Sequence, residues 1–134
     1  MSTPTYLPAL GRLLIALIFV MSGLSKIAAP AATIAYIQSS GAPFAPGAFA
    51  VAVLVEVIGG LTLLVGFQTR MAAGALAIFT LAAAVLFHNN IADQNQMIHF
   101  LKNIAITGGL LQVIAFGAGP FSLDNRRKSA SVPA

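Results

Sequence analysis

The chain has 134 residues, of which 58% are hydrophobic and only 7% are charged, and its formal net charge is +4. Water-soluble domains carry about 25% charged residues, so this composition excludes an ordinary soluble domain and predicts a chain whose apolar surface faces lipid. The seven Lys and Arg residues are scattered along the sequence, a distribution that excludes a nucleic-acid partner and is typical of residues flanking membrane spans.

The first apolar run predicts a membrane helix over about residues 10–29, with Arg12 near its start and Lys26 near its end. A basic residue ahead of an apolar stretch is also typical of a cleaved secretory signal peptide. Pro30 directly follows the small residues at which cleavage would occur, and Lys26 lies late in the run. These two features favour a helix that is retained in the mature protein.

The next segment combines a short helix, a break and the second span. Residues 30–40 predict a short helix at the membrane interface, with Tyr36 as its anchor. The stretch 41–47 contains too many Gly and Pro residues for a continuous helix. The second span is predicted over about residues 48–67 and carries Glu56 near its middle.

The second half of the chain predicts a helical hairpin and a tail. The third span covers about residues 71–87, the polar segment 88–96 follows, and the fourth span covers about residues 97–116. Residues 1–121 therefore form a single transmembrane domain. The polar tail, residues 122–134, is expected to be cytoplasmic and disordered.

The basic residues predict the orientation of the four spans. With the N-terminus inside, the inner end collects Arg12, Arg70, Arg126, Arg127 and Lys128, and the outer end keeps only Lys26 and Lys102. Because cytoplasmic loops carry the excess of Lys and Arg, both termini are expected in the cytoplasm. The predicted fold is an all-α bundle of four transmembrane helices.

Glu56 is an acid at the middle of a predicted span. A carboxylate at that depth is costly, so it faces the bundle interior and finds a partner, or it is protonated and donates a hydrogen bond. Arg12 and Lys26 share one face of the first helix, and either side chain reaches toward Glu56 or snorkels away from it. Two interpretations stay open: a clamp between helices, and a proton relay or ligand-binding group.

Polar side chains from all four predicted spans gather in the outer half of the bundle, where Lys26, Glu56 and Lys102 are expected to face one another. A pocket that binds a ligand is the favoured interpretation, and anchoring of helix ends is the alternative. The candidate ligand-binding residues are Lys26, Glu56, His88, Lys102 and Asn103. Glu56 and His88 are the candidates for catalysis, whereas Arg12, Ser22 and Thr107 are expected to be structural polar residues.

His88 and His99 flank the polar segment, with Asp93 between them. A metal or a bis-histidine haem is conceivable there, but no fixed ligand spacing on one helix supports it, and no metal site is predicted. The chain has no Cys. Thiol–disulfide exchange, Fe–S clusters and thiolate metal sites are therefore excluded within this chain.

The sequence resembles the DoxX family of bacterial membrane proteins along nearly its whole length. The resemblance is carried by residues 12–13, 19–26, 56–61, 66–70, His88, 102–103 and 117–124. It implies a four-helix protein of the bacterial inner membrane. The family includes the small subunit of a thiosulfate:quinone oxidoreductase, and its members are often linked with quinone or oxidative-stress chemistry. Its polar positions correspond to Arg12, Lys26, Glu56, His88, Lys102 and Asn103.

The leading hypothesis is therefore a membrane subunit of a redox system that holds a quinone, a cofactor the resemblance suggests, in the outer polar pocket. Without Cys or a metal motif the chain needs a redox partner protein to supply electrons. One alternative is a non-catalytic scaffold that docks partner proteins through its loops and basic tail. The other is a passage for a small solute or a proton, which with four helices per chain requires a homo-oligomer.

Overall fold

A computed structural model describes residues 4–131, and every regular element in that range is a helix. Six helices follow one another along the described chain: α1 (Leu7–Ala28), α2 (Pro30–Ser39), α3 (Ala45–Val65), α4 (Thr69–Phe87), α5 (Gln94–Phe116) and α6 (Leu123–Ala130). One turn of α3, Val55–Gly59, is π-helical.

Four of the described helices, α1, α3, α4 and α5, are long and apolar enough to cross a membrane. They contain 22, 21, 19 and 23 residues, which at about 1.5 Å per residue matches a hydrocarbon core of about 30 Å. Large apolar side chains on their outer faces stay accessible, among them Leu14 at 62%, Ile78 at 73% and Leu101 at 56%. The predicted all-α, four-span fold is confirmed.

The helix starts depend on local capping. Helix α3 begins at Ala45, three residues earlier than predicted, because the first turn of a helix tolerates Pro46. Helix α5 begins at Gln94 rather than near residue 97, because the Asp93 carboxylate accepts the backbone N–H of Gln96 at 2.9 Å. The short α2 agrees with the helix predicted over residues 30–40.

The tail differs from its prediction. Residues 122–134 were expected to be disordered, but Leu123–Ala130 form α6. Ser122 caps this helix, because its Oγ accepts the N–H of Asn125 at 3.1 Å. The backbone N–H of Asp124 donates to Gly66 O at 2.8 Å and attaches α6 to the turn between α3 and α4. Residues 132–134 of the predicted tail lie outside the described residues.

Small residues allow the bundle to pack closely. The core consists of three alanines and four large side chains: Ala16, Ala73, Ala77, Phe19, Leu63, Leu76 and Leu110. Helices α1 and α3 approach so closely that a Cβ on Gly23 would lie 2.5 Å from Val57 Cγ2, and a Cβ on Gly60 would lie 2.9 Å from Val20 Cγ2. Small residues at such crossings are typical of membrane helix pairs, and this crossing positions the polar groups of α1 beside those of α3.

Candidate functional site

The centre of the candidate site is an ion pair between α1 and α3. Lys26 Nζ lies 2.8 Å from Glu56 Oε2 and donates to Glu56 Oε1 at 3.1 Å. Ser22 Oγ donates to the same Oε1 at 3.1 Å and accepts from Lys26 Nζ at 2.8 Å. The Glu56 side chain is 7% exposed and that of Lys26 24%. Each charge therefore has a close partner, as burial in lipid requires.

Glu56 lies within the π-helical turn of α3. A π-helical turn widens the helix by one residue and is frequent at functional sites. Gly60 follows the turn directly, and Val20 of α1 leaves no room for a side chain there. The sequence pattern of apolar residues did not reveal this turn, because residues on both sides of it are apolar and lie within one continuous span.

The ion pair lines a cavity of about 380 Å³. All five predicted ligand-binding residues, Lys26, Glu56, His88, Lys102 and Asn103, contribute to its wall, as does Ser22. Most of the other lining side chains are apolar and come from α1 to α5. We call it the Glu56 cavity; it combines an apolar interior with one charged, hydrogen-bonding wall.

Helix α2 forms part of the wall of the Glu56 cavity. Tyr36 of α2 stacks on Phe87 at the end of α4, with 5.8 Å between ring centroids. Thr33, Tyr36 and Ile37 all line the cavity. The sequence predicts Tyr36 only as an anchor at the membrane interface, and neither Tyr36 nor Phe87 is among the candidate site residues. Tyr36 and Phe87 are far apart in the sequence, and the pattern of apolar and aromatic residues around each of them does not predict that the two rings stack.

A second set of polar contacts joins α5 to the end of α4, and two of its residues, His88 and Lys102, line the cavity. His88 Nδ1 lies 2.8 Å from Gln96 Oε1, and the rings of His88 and His99 stack with 5.0 Å between centroids. Lys102 Nζ lies 3.0 Å from His99 Nδ1. Lys102 lines the same cavity as Lys26 and Glu56, and its ammonium group lies beside His99, one turn earlier on α5; that Lys102 faces the ion pair stays a prediction.

The remaining predicted polar residues have separate contacts. Thr107 Oγ1 donates to the carbonyl of Asn103 at 2.9 Å, within its own helix. Ser22, expected to be structural, takes part directly in the Lys26–Glu56 ion pair. Among the described residues, no three His, Cys, Asp or Glu side chains are close enough to hold a metal ion together.

Arg12 lies at the other end of α1, away from Glu56. It is 2% exposed, and its Nη1 donates to Leu63 O and Leu64 O at 2.9 Å each, while its Nη2 donates to Phe121 O. The last carbonyls of a helix lack partners within it. Arg12 therefore caps the end of α3 and attaches the segment that follows α5.

Asp124 completes this set of contacts, which we call the inner clasp because the sequence predicts that this end of the bundle faces the cytoplasm: Arg12, Gly66, Phe121, Ser122 and Asp124. The two carboxylate oxygens of Asp124 accept hydrogen bonds from the backbone N–H groups of Gln68 and Thr69, at 2.8 and 2.9 Å. Burial opposes ionisation of Asp124, but hydrogen bonds from Thr69 and Gln68 and the nearby charge of Arg127 outweigh it and lower its pKa. Asp124 is not among the candidate site residues, although it ends the motif over residues 117–124.

Comparison with known proteins gives one family and several relatives. The model of the DoxX family matches residues 7–89. The inner membrane protein YqjF of Escherichia coli K12 is 38% identical over 113 residues, which cover 84% of this chain and 85% of that protein. The inner membrane protein YphA of the same organism is 34% identical over 122 residues, 87% of each chain.

A more distant relative is the ER-derived vesicles protein ERV29 of Saccharomyces cerevisiae, 33% identical over 81 residues, which cover 57% of this chain and 26% of that protein. No solved structure matches the chain. The two bacterial relatives and the four membrane-capable helices of the described chain identify a multi-pass protein of the inner membrane.

Proposed function

Since the chain belongs to the DoxX family, we propose that it is a membrane subunit of a redox system and that its Glu56 cavity binds a quinone headgroup. The observation that carries the proposal is the Lys26–Glu56 ion pair on the wall of an otherwise apolar cavity. A structural clamp does not need a cavity beside it, whereas a ligand does.

The size and lining of the cavity suit a small lipid-soluble ring. Binding pockets measure about 300–1,000 Å³ and combine apolar walls with a few placed polar groups; at about 380 Å³ this one suits a single headgroup. A quinone ring offers an apolar face and two carbonyl acceptors. Lys26 and Asn103 carry N–H donors for those carbonyls, and Phe79 and Phe87 supply apolar wall.

Reduction of a quinone to a quinol consumes two electrons and two protons. A redox partner protein supplies the electrons in this proposal. Glu56 and His88 are the groups on the cavity wall that relay protons: the Glu56 carboxylate takes up a proton before passing it to the quinone oxygen, and His88 donates one as an imidazolium. The ammonium group of Lys26 stabilises the negative charge that develops on the quinone oxygen before it is protonated.

Calorimetry with a short-chain benzoquinone tests the proposal. We expect purified protein to bind the quinone and Glu56→Gln to weaken binding about tenfold or more, since loss of a charged hydrogen-bonding group costs about 1.5–3 kcal/mol. Asp93→Asn is the matched control. It makes the same change from carboxylate to amide at a described residue outside the cavity lining, and Asn is an equally good N-cap.

The same variants separate the proposal from the alternatives. If the parent protein does not bind the quinone, and Glu56→Gln only lowers the unfolding temperature, the ion pair is a clamp in a non-catalytic scaffold. The direct contact between α1 and α3 at Lys26–Glu56 is the observation that favours that second function. Solute or proton flux in proteoliposomes, abolished by Glu56→Gln, would instead support a passage.

A further inference from the structure

A second cavity lies at the end of the bundle where α4 begins and α5 ends, and it takes no part in the function proposed above. It measures about 740 Å³ and is lined by the first residues of α4, the last residues of α5 and residues of α6. The Glu56 cavity lies toward the opposite ends of the same helices. We call the second one the basic cavity.

Three cations line the basic cavity: Arg70 of α4 and Arg127 and Lys128 of α6. The acidic residue in its lining, Asp124, has both oxygens engaged by the N–H groups of Gln68 and Thr69. The cavity therefore keeps a net positive charge. Five of the seven Lys and Arg residues of the chain lie at this end of the bundle or on α6, against one of the three acidic residues.

Two of the three cations, Arg127 and Arg70, have contacts that restrict their side chains. The Arg127 guanidinium lies 5.5 Å from the centroid of the Phe67 ring, a cation–π contact. Arg70 Nη2 lies 3.4 Å from Ala115 O, near the end of α5. Helix α6 is itself attached to the bundle by the inner clasp, through Asp124 and Ser122. Charges fixed in this way bind an anion with little loss of side-chain freedom.

The mouth of the basic cavity is apolar and accessible. Met71 is 72% exposed and Phe116 is 81% exposed, and both line the same cavity as the cations. These residues lie at the ends of membrane spans, where acyl chains are close by. A free phosphate ion would contact only the cations. A phosphate that carries acyl chains contacts the cations through its headgroup and the apolar mouth through its chains.

We propose that the basic cavity binds the phosphate headgroup of an anionic phospholipid. Arg70, Arg127 and Lys128 contact the phosphate, and the acyl chains lie along Met71 and Phe116. Basic pockets between membrane helices bind anionic headgroups in this way. A lipid bound there would hold α6 against the first turn of α4 and the last turn of α5.

Native mass spectrometry of the full chain released from mixed micelles tests the proposal, with phosphatidylglycerol and phosphatidylcholine as the two probes. We expect the parent to retain phosphatidylglycerol in preference to phosphatidylcholine. We expect the double variant Arg127→Gln with Lys128→Gln to lose this preference, by about fivefold for each cation removed. The charge-preserving variant Arg127→Lys should keep most of it.

Arg126→Gln is the matched control. Arg126 is an exposed neighbour on α6, and within the described chain it lies outside the lining of the basic cavity. If Arg126→Gln weakens retention of phosphatidylglycerol as much as Arg127→Gln does, the lipid is attracted by the overall positive charge of α6, and a defined site in the basic cavity is refuted. If inorganic phosphate in excess binds and displaces phosphatidylglycerol from the parent, the occupant is a free phosphate and the lipid proposal is overturned. Circular dichroism confirms that each variant is folded.

Discussion

Arg12 and Glu56 are both buried charged residues within membrane spans, and the fold accommodates them by different means. Glu56 has an opposite charge, Lys26, at 2.8 Å. Arg12 has three backbone carbonyls instead, two of them at the end of α3. The end of a helix carries about half a negative charge, so Arg12 is compensated electrostatically as well as by hydrogen bonds.

We expect Arg12→Gln to destabilise the protein by about 2–4 kcal/mol. The amide keeps a donor but cannot reach all three carbonyls, and a buried carbonyl left without a partner costs about 1–3 kcal/mol. The unfolding temperature in detergent should fall, as followed by circular dichroism. Arg12→Lys should have an intermediate effect, because one ammonium group does not reproduce the fork of a guanidinium.

Arg126→Gln serves as the control for charge, since it removes one cation from an exposed position. It should leave the unfolding temperature unchanged. An unfolding temperature for Arg12→Gln equal to that of the parent would show that these carbonyls find other partners, and it would contradict a capping role for Arg12.

The residues of the candidate site were predictable where depth and helical spacing define position. Ser22 and Lys26 are four residues apart on one face of α1, and Glu56 lies at mid-span on α3, so a contact between Lys26 and Glu56 was one of the interpretations that the sequence left open. The direction of Lys102 was not predictable. Its ammonium group lies beside His99, one turn earlier on the same helix, and helical spacing does not specify which of several polar neighbours a long side chain contacts.

At the scale of the helices, the crossing of α1 and α3 determines the geometry of the site. Gly23 lies against the π-helical turn, and a Cβ there would be 2.5 Å from Val57 Cγ2 and 3.3 Å from both Glu56 Cβ and Val57 N. The backbone of Val57 and the side chains of Glu56 and Val57 therefore occupy the space that a side chain at Gly23 would need. Any side chain at Gly23 must therefore push the two helices apart beside the ion pair.

We expect Gly23→Ala to lower stability by about 1–3 kcal/mol, the usual cost of adding atoms to a packed interior. It should also loosen the Lys26–Glu56 contact. Thermal unfolding in detergent measures the first effect. Gly11→Ala is the matched control on the same helix, because among the described residues no atom comes within 4 Å of a Cβ at Gly11. Equal stability of the two variants would disprove the close approach.

The existence of the helices followed from the sequence more closely than their ends did. A long apolar run predicts a membrane span but does not specify the residue at which the helix begins. Helix α5 begins where the Asp93 side chain caps it. Helix α6 was missed because its residues are polar and give no amphipathic signal. Its contacts are the Ser122 cap and the hydrogen bond from Asp124 N–H to Gly66 O, and the second depends on the turn between α3 and α4, far away in the sequence.

At the scale of the whole molecule, the two ends of the bundle differ in chemistry. One end has the inner clasp and the basic cavity, with Arg70, Arg127 and Lys128 in its lining. The other end has the Glu56 cavity, which residues of α2 help to line. Because an excess of Lys and Arg is typical of the cytoplasmic side, we expect the basic cavity to face the cytoplasm and the Glu56 cavity to open toward the outer leaflet.

Cysteine labelling tests this orientation, because the chain has no Cys and each introduced thiol is therefore the single reactive one. Ser131→Cys places a thiol just after α6, and Ala92→Cys places one in the exposed turn between α4 and α5. In intact spheroplasts an impermeant maleimide should label Cys at 92 and leave Cys at 131 unlabelled until the membrane is permeabilised. The four spans are an even number, so the N-terminus shares the side of residue 131. Labelling of position 131 alone in intact spheroplasts would show the opposite orientation. The basic cavity would then face the outside, and its proposed lipid would lie in the outer leaflet.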